Sequence, residues 1–158
     1  MGIADLMREL KFTHGGFYRH FKSKDQLFAE ALAWGFEEVI AKLAQMGGGG
    51  LKAIIEAYLS PEHCANPAAG CLGAALVQEI ARQPRAVRAK FEAAMRGYGS
   101  RLAKFMPGKT EDERLLNFFV LFSGMAGALG LARAVADAEL RRRILRSARE
   151  FYISTFCG

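Results

Sequence analysis

Apolar residues recur along this chain at helical spacing, and no segment shows sustained alternation with β-branched residues, so we predict an all-α fold. A first short helix is marked by one apolar stripe, formed by Ile3, Leu6, Met7 and Leu10. Thr13 is then a good N-cap for a second short helix that carries Phe17 and Phe21 on one face. Because only Leu10 to Phe12 joins the two helices, their spacing is that of a helix-turn-helix.

A long third helix is predicted from Ser23, where Ser23 and Gln26 have the spacing of a capping box. Its apolar positions continue to about Met46, and the glycine run at 47–50 should end it. We take this run as a hinge. It divides the chain into a front module, residues 1–46, and a rear module, residues 47–158.

The rear module is predicted to be a bundle of further helices. Ser60-Pro61 should end the first of them, Pro84 suits a first helical position, and Thr110 with Glu113 forms another capping box. The expected ranges are about 51–59, 71–83, 84–106, 111–135 and 138–156.

The helix that starts at Glu111 is the most apolar segment of the chain. Residues 115–132 contain only Asn117 and Ser123 as polar residues. The length of this segment is near the lower limit for a helix that spans a membrane. A buried helix in a bundle is the better account, because amphipathic helices surround it. A homodimer in which this helix packs against its symmetry mate would bury it. Its small residues would allow close helix contact: Ser123, Gly124, Ala126, Gly127, Ala128 and Gly130.

Charge permits a polyanionic partner without demonstrating one. The net charge is +6. Residues 1–24 contain five basic and two acidic residues, five minus two, or +3, so a charge equal to half of the net total lies in these first 24 residues. The arginines of the last helix are interpreted as a solvated face.

Few residues suggest catalysis, a cofactor or a metal. The three cysteines, Cys64, Cys71 and Cys157, do not form a disulfide framework, so we expect a cytoplasmic protein. His63, Cys64 and Cys71 lack the spacing of a zinc site and are interpreted as an ordinary loop, with thiol sensing as the alternative. We predict no enzyme activity, no catalytic residue, no cofactor and no metal.

The adjacent glycines Gly15 and Gly16 fall at the start of the second helix, where each costs roughly 1 kcal/mol relative to alanine in a helix interior. The second helix of a helix-turn-helix enters the major groove by its N-terminal end, and bulky side chains would hold its backbone away. His14 could then reach base edges, Tyr18 a phosphate or a thymine methyl, and Lys24 the flanking backbone. An ordinary loop is the alternative for the glycines, and an ordinary surface position for the histidines.

The stretch GIADLMRELKFTHGGFYRHFKSKDQLFAEAL resembles the DNA-binding module of the TetR family of bacterial transcriptional repressors. The shared pattern is a capped recognition helix that ends in Tyr-x-x-Phe, followed by a lysine, here Tyr18, Phe21 and Lys24. The resemblance implies a homodimer that binds palindromic operator DNA and is released by a small-molecule effector. It also implies the DNA-contacting residues, which are Thr13, His14, Gly15, Gly16, Tyr18, His20 and Lys24.

Two departures from the family pattern give further expectations. The family has an additional first helix, so this chain should expose an apolar face made of Ile3, Leu6, Phe17 and Phe21. The alternative function is therefore a dimeric ligand-binding protein with impaired DNA binding. In the turn, Lys11 replaces the usual glycine, and a left-handed conformation there would cost about 1 kcal/mol.

The effector is expected to bind among the rear helices, near Phe91, Met95, Tyr98 and Phe118, although an aromatic residue such as Phe91, Tyr98 or Phe118 is more often part of the core than of a pocket. Effector binding would move the connecting helix and change the separation of the two recognition helices in the dimer. Repression would then be lifted.

Overall fold

The computed structural model describes residues 2–45, 50–67 and 70–158; within these ranges, the side chains of His14, residues 39–45 and Gly73 are not described. The described residues contain helices and no strand, which confirms the all-α prediction. Of the glycine run, only Gly50 is described. The helices are α1 Ile3–Glu9, α2 His14–His20, α3 Lys24–Gln45, α4 Gly50–Tyr58, α5 Pro61–Ala65, α6 Leu72–Ile80, α7 Arg85–Ala103, α8 Glu111–Ala134 and α9 Ala138–Phe156.

Side-chain caps begin several helices as predicted. The Thr110 hydroxyl accepts a hydrogen bond from the Glu113 N–H at 3.1 Å, and the Glu113 carboxylate accepts one from the Thr110 N–H at 3.3 Å. The predicted Ser23 box is only half formed. Ser23 accepts from the Gln26 N–H at 3.1 Å, but the Gln26 side-chain oxygen accepts from the Lys22 N–H rather than from that of Ser23. Each cap is worth about 1 kcal/mol.

The segment after α4 corrects the prediction in one place. Ser60 was expected only to end a helix, yet its hydroxyl also caps α5 by accepting from the His63 N–H at 3.0 Å, and Pro61 follows at the first helical position. The short helix α5 was missed because it is too short to show an apolar period. Pro84 is the N-cap of α7 rather than its first residue.

Helix α8 lies at the centre of the rear module and packs against α5, α6, α7 and α9. Aromatic rings dominate this core: Tyr98 of α7 makes edge contacts with Phe118 and Phe122 of α8, each at 5.5 Å between ring centroids. By length and composition, α8 is the one helix among the described residues that could cross a membrane, and a third of its most apolar window is buried. Its outer side carries four exposed apolar residues, the α8 stripe, formed by Leu116, Phe119, Val120 and Leu131.

Helix α3 joins the two modules because it begins in one and packs on the other. Leu32 and Phe36 are buried against the rear module, Leu32 with Ile80 and Val87 in a small cluster of their own. The Phe36 ring lies 5.8 Å from that of Phe91 on α7. A displacement of α7 would therefore be transmitted to α3 through direct contacts.

Candidate nucleic-acid interface

The turn between α1 and α2 is closed by backbone hydrogen bonds around Lys11. The Lys11 N–H donates to the Arg8 carbonyl at 3.1 Å and the Phe12 N–H donates to the Met7 carbonyl at 2.8 Å, the pattern of a Schellman motif. Lys11 has a φ of 57°, so it adopts the left-handed conformation that glycine usually supplies at this place. The predicted strain is present, and the tight turn forms despite it.

Thr13 begins α2 as predicted, because its hydroxyl accepts a hydrogen bond from the Gly16 N–H at 3.2 Å. The two glycines differ in their surroundings. A Cβ at Gly16 would touch the Thr13 hydroxyl at 3.4 Å, whereas a Cβ at Gly15 would meet no atom within 4 Å. Nothing inside the described structure therefore requires glycine at position 15.

The aromatic residues of α2 separate into a buried side and an exposed side. Phe17 is 1% exposed and packs against Phe21 at 5.5 Å between ring centroids, whereas Tyr18 is 54% exposed. The expectation that Phe17 would lie on an exposed apolar face is therefore wrong, and Ile3, Leu6 and Phe21 are half-buried. The exposed apolar residues of this region are instead Leu10 and Phe12, beside a groove of about 390 Å³ between α1 and α2.

Exposed cations surround α2. Lys24, the first residue of α3, is exposed, as are Lys11, Arg19 and Lys22. Arg8 forms an ion pair with Asp5 at 2.7 Å, so it adds less to the positive potential around α2 than the other cations do. Arg19 and Lys22 are absent from the predicted contact set, although sequence reasoning counted both in the local charge. Of the predicted histidines, His20 is exposed, and the side chain of His14 lies outside the described part of the chain.

A cavity of about 620 Å³ lies between α6, α7 and α8 in the rear module. Two residues predicted for the effector site, Phe91 and Met95, form part of its wall. Tyr98 and Phe118 do not line it: each is 3% exposed and packs in the aromatic core, because each lies on the side of its helix that faces the other. Gln78 and Ser123, which line the cavity, were not predicted as site residues.

His63 holds three segments of the rear module together, although sequence reasoning placed it in an ordinary loop. Its Nδ1 lies 2.6 Å from the Tyr58 carbonyl oxygen, and its Nε2 accepts the Cys71 N–H at 3.2 Å. This pairing places the proton on Nδ1 of a neutral ring. Burial lowers the pKa of His63, and the nearby Arg133 adds to this effect, while the Tyr58 carbonyl opposes it. Arg133 of α8 also donates to the carbonyls of His63 and Cys64, at 2.9 and 3.2 Å.

Comparison with known proteins agrees with the geometry of the front module. The family model described as bacterial regulatory proteins, tetR family, matches residues 1–31 of the chain, which include α1, α2 and the first turns of α3. No curated protein matches the chain. The match falls on the segment that places Thr13, Gly15, Tyr18 and Lys24 together. Over residues 1–31 the chain therefore has the DNA-binding segment of a TetR-family regulator, and this match supports a DNA-binding transcriptional regulator.

Proposed function

We propose that the protein is a ligand-responsive repressor that binds palindromic operator DNA as a homodimer and is released by a small-molecule effector. The observation that carries this proposal is the open space at Gly15, on an exposed helix surrounded by cations. A glycine that the fold does not need is explained when an outside partner must approach the backbone. A DNA duplex is such a partner, because α2 is the second helix of a helix-turn-helix.

The proposed contacts divide the predicted residues by role. Lys24 and the cations beside it bind phosphates and position the protein, while Tyr18 contacts a phosphate or a thymine methyl. Thr13 orders the first turn of α2, since its hydroxyl caps that turn, and Gly15 and Gly16 permit close approach. His14 and His20 are assigned to base or backbone contacts at the two ends of α2.

Replacing Lys24 or Tyr18 with alanine tests these DNA-binding roles. We expect Lys24→Ala to weaken binding at 100 mM salt and to lower the slope of log affinity against log salt by about 1, because one phosphate contact is lost. Tyr18→Ala should weaken binding with a smaller change in slope. Fluorescence anisotropy would measure both, on duplexes that the wild-type chain selects from a random library.

Lys109→Ala is the matched control, since Lys109 is an exposed lysine of the rear module at the start of α8. It should leave affinity and slope unchanged. Wild-type affinity and slope in Lys24→Ala and Tyr18→Ala would refute the assigned roles.

The proposed homodimer uses the α8 stripe as its interface. Leu116, Val120 and Leu131 are 65%, 59% and 63% exposed, which is unusual for a helix that is otherwise the centre of the core. A second copy would cover the stripe by placing its own α8 against it. Two-fold symmetry of the protein would then match a two-fold operator.

Light scattering in detergent-free buffer measures the mass of this assembly. The wild type should have twice the 17.3 kDa of one chain, and Val120→Asp should have the mass of one chain. Leu10→Asp, at an exposed apolar residue of the front module, should remain dimeric. A wild type that is monomeric contradicts the dimer, and one that requires detergent favours a membrane location for α8.

Release of DNA on effector binding is supported by the contact between α3 and a residue that lines the cavity. Phe91 lines the cavity, and its ring packs against Phe36 of α3. An effector that displaces Phe91 would move α3, which carries Lys24 at its other end. The two recognition helices of the dimer would then no longer fit successive major grooves.

A further inference from the structure

The cavity between α6, α7 and α8 has walls that are mostly apolar. Apolar side chains form most of them, including Val77, Phe91, Met95, Phe119 and Phe122, and none of the described residues that line it is ionisable. Its volume of about 620 Å³ is in the range of small-molecule sites. A charged ligand buried here would lose its hydration without gaining an opposite charge, which is a large cost.

Two polar side chains reach the wall, and they differ in availability. The Ser123 hydroxyl donates to the Val120 carbonyl of its own helix at 3.1 Å, so its donor is already used. Gln78 makes no hydrogen bond within the described part of the chain, and its amide can both donate and accept. The Ser123 oxygen can still accept, so Gln78 is the polar wall residue that can both donate to and accept from a ligand group.

We infer that this cavity binds an uncharged, mostly apolar molecule of aromatic or alicyclic character, with a single hydrogen-bonding group held by Gln78. Three phenylalanine rings, Phe91, Phe119 and Phe122, supply flat surfaces for such a ring system. The inference rests on the proposed function, since this ligand would be the effector, and it specifies the chemical class.

Two fluorescent probes with the same carbon skeleton test the class. N-phenyl-1-naphthylamine is uncharged, and 8-anilino-1-naphthalenesulfonate adds a sulfonate to it. We expect saturable binding of the uncharged probe, at least about tenfold tighter than that of the sulfonate, because the cavity offers no cation. Equal or tighter binding of the sulfonate would overturn the inference while leaving a ligand site in place.

Matched glycine substitutions locate the probe. A Cβ at Gly130, which lines the cavity, and one at Gly97, on the exposed side of α7, would each meet no atom within 4 Å. Gly130→Leu should therefore fill the cavity and weaken the uncharged probe at least about tenfold, while Gly97→Leu leaves it unchanged. Equal binding by both variants would place the probe elsewhere and overturn the inference.

Gln78→Leu keeps the bulk of the side chain and removes the amide. It should weaken the uncharged probe, whose N–H would donate to Gln78, by about threefold to tenfold. If the affinity for the uncharged probe is unchanged, Gln78 does not bind the polar group of the ligand. DNA binding without probe should be normal in Gln78→Leu, so failure of the ligand class is separable from failure of the DNA-binding function, which Lys24→Ala tests.

Discussion

Gly15 in the front module and Gly124 in the rear module both occupy helices, yet their surroundings are opposite. A Cβ at Gly124 would collide with the Tyr152 hydroxyl and ring on α9, whereas a Cβ at Gly15 would meet no atom within 4 Å. The rear glycine is required by contact between two helices of the same chain. No contact within the described chain explains the front glycine, and the proposed function explains it by the close approach of a DNA duplex.

Gly124→Ala is expected to have the largest effect, with loss of stability. Alanine has the better helix propensity, but its methyl group would force the Tyr152 ring to move, and overpacking of this kind costs about 1–3 kcal/mol. Urea unfolding followed by circular dichroism measures the free energy of unfolding. A variant as stable as the wild type would show that α8 and α9 are not in close contact at this point.

Gly15→Ala is expected to act in the opposite direction on stability and to reduce function. The free energy of unfolding should rise by up to about 1 kcal/mol, because alanine fits without a clash and favours the helix. DNA affinity should fall about tenfold, an energy change of about 1.4 kcal/mol, because the methyl group holds α2 away from the duplex.

Gly97→Ala supplies the control for Gly15→Ala, since it is also a helical glycine with open space around it. It should give a similar gain in stability with unchanged DNA binding. If Gly15→Ala also kept full DNA affinity, the close approach at position 15 would be excluded, and with it the comparison between the modules.

His63→Gln is expected to have the smallest effect, on the pH dependence of rear-module stability. The pKa of His63 is lowered from 6.5, so below pH 6.5 the unfolded chain binds more protons than the folded one. The stability contributed by neutral His63 is therefore fully present above pH 6.5 and is lost as the pH falls through the folded-state pKa.

Glutamine does not titrate, so the difference in unfolding free energy between wild type and His63→Gln should narrow below pH 6.5. Urea titrations at pH 5, 6, 7 and 8 measure it. A difference that stays constant over this range would mean that His63 keeps its ordinary pKa.

Features determined within a few residues were predictable. Thr13 and Thr110 cap their helices because a cap needs only its own side chain and an N–H three residues on. Helical periodicity likewise places Phe17 and Tyr18 on different faces of α2, but the burial of Phe17 was not predicted. Helix α5 was missed because its signal, a serine followed by proline, is also that of a helix end.

Features that depend on distant segments were not predictable. Phe91 and Tyr98 lie on the same helix with similar surroundings in sequence, yet Phe91 borders a cavity and Tyr98 is enclosed by Phe118 and Phe122. His63 joins the rest of the rear module only where Arg133, from a distant helix, donates to its carbonyl. Helical spacing shows which face of a helix is apolar. It does not show whether the residues of a neighbouring helix fill the space beside that face or leave a cavity.

The sequence by itself determined the helical class, the helix-turn-helix and the concentration of positive charge around α2, because each of these depends on neighbours within one or two helical turns. The tertiary structure decided which glycine is tightly packed, which aromatic residues face a cavity and which side of α8 remains exposed. These properties depend on the distances between helices that lie far apart along the chain, and a local pattern carries no measure of such distances.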